Sequence, residues 1–129
     1  MNKVLLLFIG MLSVGIQAQE FLNTTFLGQK EYSEELSDIW GYEKNGSEYA
    51  LVGVYNGISV VDVTNPVDLQ ELAFFPGYSS IWRDLKTWGD YLYCINETNG
   101  GLQIVNLAEV ISGAANPTYI ENTSLDFEY

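Results

Sequence analysis

The sequence predicts an all-β protein: antiparallel four-stranded blade repeats, part of a β-propeller and an incomplete array. Three observations carry this. From residue 36 onward, short apolar runs alternate with turn signals such as Asn-Gly, Asn-Pro and Pro-Gly. The same order of runs then recurs after about 40–50 residues, the period of a propeller blade. Aromatic residues make up 14% of the chain, nine of them tyrosine and three tryptophan, which favours strands over helices.

Four runs fill the first unit. Leu36 to Tyr42 is followed by Lys44-Asn45-Gly46-Ser47, a turn in which Asn-Gly adopts positive φ. Glu48 to Tyr55 holds Tyr49, Leu51, Val52 and Val54, and Asn56-Gly57 reads as a second turn of the same type. Ile58 to Val63 is β-branched and ill suited to a helix, and Thr64-Asn65-Pro66 stops it. Leu69 to Phe75 is closed by Pro76-Gly77.

The second unit repeats the first at offsets of 46 (Asp38 to Asp84), 42 (Tyr49 to Tyr91) and 44 (Val61 to Val105). Strand cores keep their register while turns vary in length. Asn99-Gly100-Gly101 is a hairpin turn, since no helix follows it to bind phosphate. Leu107 to Ile111 gives a helical hint before the last strand, and Asn116-Pro117 echoes Asn65-Pro66. The resulting organisation is a lead-in at 19–35 with one short strand near Phe21 to Leu27, blades at 36–82 and 83–124, and the start of a third unit at 125–129. Two blades leave large apolar faces open, because repeat arrays need about three units. The chain is therefore expected to be the N-terminal part of a longer propeller, with self-association through the open faces to close a ring as the less favoured alternative.

Residues 1–18 read as a secretory signal peptide. Lys3 supplies the positive start, Val4 to Ile16 an uncharged apolar run, and Ala18 a small residue before cleavage at Gln19. The run is short for a bilayer span of about 20 residues. The mature chain is expected at the cell surface or in the medium, with no transmembrane segment.

Composition narrows function further. Five basic residues against seventeen acidic ones give a net charge of -12, which repels nucleic acid. There is no histidine, so Ser-His-Asp and Cys-His catalysis are excluded, as are histidine metal sites. Cys94 is the sole cysteine and forms no internal disulfide; its apolar strand predicts a buried thiol. Asn-x-Ser/Thr sequons stand at Asn23, Asn45, Asn96 and Asn122.

The ordered set Ser37-Asp38-Ile39-Trp40-Gly41-Tyr42, Glu48-Tyr49-Ala50-Leu51-Val52-Gly53, Ile58 to Val63 with Thr64-Asn65-Pro66, and Ser80-Ile81-Trp82-Arg83-Asp84-Leu85-Lys86-Thr87 resembles the choice-of-anchor B family of proteins with LVIVD repeats. The resemblance covers about residues 36–110. It implies an exported β-propeller, often followed by a variable anchoring domain, with no firm activity. Asn106 departs from it by replacing the repeat's usual Asp.

Candidate functional residues are few. Asp38, Asp62, Asp84 and Asn106 occupy matched repeat positions and are expected to tie turns to strands. A ring of such carboxylates would hold Ca²⁺, but no Asp-x-Asp-x-Asp-Gly loop supports it, so no cofactor and no metal site are expected. In Trp82-Arg83-Asp84, alternation places Arg83 on the face opposite Trp82 and Asp84. Arg83 is expected to pair with a carboxylate and pin two blades. Trp40, Tyr42, Trp82, Arg83 and Asp84 form the candidate ligand site, with aromatics for a sugar or peptide and the arginine for an anion. No catalytic residue is assigned. The reading is a binding or scaffold module for an extracellular protein or glycan. Its rivals are a secreted enzyme on extracellular polymers and a truncated product without function.

Overall fold

The computed structural model describes residues 24–98 and 100–122. The leader expected at 1–18 with its Ala18–Gln19 junction and the third unit expected at 125–129 lie outside the described residues. Eight strands and one short helix follow in order: β1 (Leu36–Lys44), β2 (Ser47–Val54), β3 (Gly57–Asp62), β4 (Gln70–Pro76), β5 (Arg83–Trp88), β6 (Tyr91–Asn96), β7 (Leu102–Asn106), α1 (Leu107–Ile111) and β8 (Tyr119–Asn122). They form two antiparallel four-stranded sheets, β1-β2-β3-β4 and β5-β6-β7-β8. Each is a meander whose neighbours in sequence are neighbours in space.

The turn chemistry sets the registers. Asn45 and Gly46 carry φ of 56° and 81° and make the two-residue β1–β2 hairpin. The β2–β3 turn differs from expectation. Its two loop residues are Tyr55 and Asn56, while Gly57 is already paired with Val54 inside β3. Asn45 is the only non-glycine residue at positive φ among those described, so this second turn is not of the Asn45-Gly46 type. The strand expected near Phe21 to Leu27 does not form over its described part, residues 24–27. Residues 24–35 instead cross the first sheet as an irregular strap. The helix expected at Leu107 to Ile111 forms, capped by Asn106, whose Oδ1 accepts from the Glu109 N–H at 3.3 Å.

Pairing repeats between the sheets over the strand centres, while the first sheet adds a bulge in β1 between Leu36 and Ile39 and another between β3 and β4. Ile39 faces Val52 and Leu51 faces Val60 in the first sheet; Leu85 faces Cys94 and Tyr93 faces Ile104 in the second. These are the positions matched by the 46-, 42- and 44-residue offsets. The faces that meet, however, are opposite ones. The first sheet turns Leu51, Ile58, Val60 and Phe75 inward, with Trp40 and Tyr42 beside them. The second turns in Leu85, Leu92, Cys94 and Val105, the alternate residues of its strands. The sheets therefore stack the same way up, front to back, with Leu107 and Val110 of α1 filling the same core.

Front-to-back stacking demands a close approach at β2. A Cβ on Gly53 would stand 3.1 Å from Leu85 Cδ1 and 3.2 Å from Arg83 Cβ. The matched residue of the second sheet, Ile95, carries a full side chain and is exposed. Gly53→Val is expected to lower the unfolding free energy by about 2–3 kcal/mol in a urea titration, through overpacking. Ile95→Val is expected to change it by less than about 0.5 kcal/mol.

Candidate functional site

Arg83 opens β5 on its inward side and is 5% exposed. Nε donates to the Val54 carbonyl at 2.8 Å, and Nη2 to the carbonyls of Tyr55, at 3.3 Å, and Tyr78. Nη1 donates to Gln103 Oε1 at 3.0 Å. The expected carboxylate is absent from this set. Neutral acceptors converge on the guanidinium because the end of β2, the loop after β4 and the buried strand β7 all meet there. Gln103 continues the chain: its Nε2 donates to the Tyr119 hydroxyl at 2.5 Å, which donates to the Pro76 carbonyl at 2.9 Å. Burial pushes the Tyr119 phenol above its ordinary pKa. Burial also pushes up the Cys94 thiol, and the neighbouring Arg83 only partly offsets it. Sequence reasoning missed Gln103 and Tyr119. The one available signal was that Gln103 shares the inward phase of β7 with Val105.

The matched polar positions divide their work. Asp38 Oδ2 accepts from the Leu85 N–H of the other sheet at 2.9 Å, while Oδ1 accepts from Ile39 N–H at 2.8 Å. Asp62 accepts from Thr64 N–H at 2.9 Å and shapes the turn after β3. Asn106, its counterpart, caps α1 instead. Asp84 is exposed and meets Lys86 Nζ at 2.7 Å.

The five residues singled out for ligand contact fall into two places at opposite ends of β5. Trp40 donates to Thr87 Oγ1 at 3.0 Å, and the Lys86 ammonium lies 4.3 Å from its ring centre. The Tyr42 hydroxyl donates to Asp90 at 2.7 Å; burial first, then this carboxylate, pushes its pKa up to about 12. Lys44, 2.6 Å from Asp90, holds that carboxyl below its usual range, with Tyr42 assisting. These two aromatics are bound into the joint between the sheets.

Trp82, Arg83 and Asp84 share the other place, a shallow groove of about 240 Å³ completed by Ile95, Asn96 and Glu97. Trp82 is 63% exposed, and Asp84 and Glu97 are also exposed. Asn96 is buried, its Oδ1 accepting from the N–H and hydroxyl of Thr98, at 2.9 and 2.5 Å. Its sequon is thus shielded, whereas Asn45 stands exposed at a hairpin tip. Among the described residues no three carboxylate or thiol groups gather as metal ligands would, and no helix is long and apolar enough to cross a membrane.

No family model, no curated protein and no solved structure matches this chain.

Arg83→Met is expected to cost about 3–5 kcal/mol in chemical denaturation, because three carbonyls and Gln103 lose their donor inside the joint. Arg83→Lys is expected to recover little of this, since one ammonium does not reproduce the planar fork. Asp84→Asn is expected to shift stability by less than about 0.5 kcal/mol.

Proposed function

We propose that the chain belongs to a secreted or cell-surface β-propeller of the choice-of-anchor B type, built of LVIVD repeats and exported by residues 1–18, and that it acts by binding a glycan rather than by catalysis. The strand-for-strand repetition of the two sheets supports the repeat reading. The leader-like start of the sequence supports export. The ligand reading rests on the groove at Trp82. An indole with most of its surface free offers a stacking face for a sugar ring. Asp84 and Glu97 beside it accept hydrogen bonds from sugar hydroxyls. Two carboxylates at the rim also turn away anionic polymers, so the glycan is neutral. Arg83 lies beneath this groove with its donors committed to protein acceptors, and on this reading it supports the floor rather than binding an anion.

Titration of the purified protein with neutral oligosaccharides, followed by tryptophan fluorescence, tests this. At least one sugar is expected to give a saturable change that Trp82→Ala weakens at least about tenfold, with the sugar recovered at its original mass. No saturation with any sugar of a broad panel, or shortened sugar products, would contradict it.

A further inference from the structure

The outward face of the second sheet is the register-matched copy of the face that the first sheet buries. Tyr93, Ile95, Leu102 and Ile104 correspond to Leu51, Gly53, Ile58 and Val60. Trp88 is 81% exposed, and Tyr91, Ile95 and Ile120 are exposed with it. The complementary face also exists in the molecule. It is the outward face of the first sheet, carrying Ile39, Ala50, Val52 and Val61, the counterparts of Leu85, Leu92, Cys94 and Val105. A strap of residues 24–35 crosses that face. The Lys30 ammonium meets Glu71 at 2.8 Å, the Tyr32 hydroxyl donates to Ser59 at 2.9 Å, and Ser59 donates to Glu71 at 2.8 Å. The Glu35 backbone carbonyl accepts from the Tyr55 N–H at 2.8 Å at the far end. Burial alone would raise the Glu71 pKa, but the bonds from Lys30 and Ser59 outweigh it and hold the carboxyl low.

We infer that the open face of the second sheet is a docking surface for the first sheet of a second copy of this chain, and that the 24–35 strap blocks that stacking until it is displaced. The joint between the two sheets within one chain is the template. Side-chain sizes are exchanged across the matched positions in the sense a second joint needs. Leu51 matches Tyr93, which is larger, while Leu92 matches Ala50, which is smaller. Such a contact joins two different faces, so it extends from copy to copy instead of closing as a symmetric pair.

Sedimentation velocity over a range of protein concentrations tests the inference, with strand content followed by circular dichroism. Three proteins are compared: the unaltered chain, Lys30→Ala/Tyr32→Ala to free the strap, and that double variant carrying Ile95→Lys. Freeing the strap is expected to bring on stepwise association at a concentration at least about tenfold lower than for the unaltered chain, and Ile95→Lys to reverse it. A folded double variant no more associated than its parent would overturn the inference. So would association that Ile95→Lys leaves intact, or a dimer formed equally well with the strap in place. Should the double variant lose its strand signal, Glu71→Gln alone loosens the same latch and is read by the same criteria. Sugar binding is measured on the unaltered chain and on Trp82→Ala alone, because Ile95 lines both the groove and the docking face, so failure of one reading leaves the other standing.

Discussion

The guanidinium of Arg83 is where the two sheets become one structure. A four-stranded meander has two faces, and neither sheet here has residues enough to bury one alone. Bringing them together leaves the end of β2 and the loop after β4 with carbonyls inside the joint, cut off from water. Arg83 satisfies Val54, Tyr55 and Tyr78 from the opposite sheet and is itself held by Gln103. A carboxylate partner would have neutralised the charge but left those carbonyls without donors. Five fixed N–H groups suit this task as no other side chain does. Gly53 opens the space for it, and Asp38, Trp40 and Tyr42 add further bonds across the joint, to the Leu85 N–H, Thr87 and Asp90.

From that joint follows the polarity of the molecule. Sheets that stack front to back present unlike faces at the two ends of the stack. One end is crossed by the 24–35 strap through Lys30 and Tyr32; the other shows Trp88, Tyr91, Ile95 and Ile120 to solvent. An exposed apolar face at a repeat's end marks a site for contact with further protein. The groove at Trp82 lies at the end of β5 on the edge of that open face and shares Asp84 and Ile95 with it.

Much of the fold is legible in the sequence, because period-2 alternation and turn residues are local signals. Asn45-Gly46 marks its hairpin correctly, and from Ile39 onward the offsets give matched residues of the first two strands the same cross-strand partners in both sheets. Gly57 misled the reading of the next turn because glycine serves there inside a strand, paired with Val54. The strap is illegible, since it holds through scattered polar contacts with no period. At the candidate site, alternation places Arg83 opposite Trp82 and Asp84, as the structure has it. Its partners are not readable, because backbone carbonyls from distant loops carry no sequence signature. Nor could position alone say that Trp40 and Tyr42 are tied into the joint while Trp82 remains free.

Native-state hydrogen exchange on the intact protein tests most directly whether the sheets form one cooperative unit. The amides of β2 and β3 and those of β6 and β7 are expected to exchange through a common opening with one free energy, because neither sheet keeps its core without the other. Exchange of β6 and β7 at a clearly lower free energy, with β2 and β3 still protected, would contradict that account and make the second sheet a separable appendage.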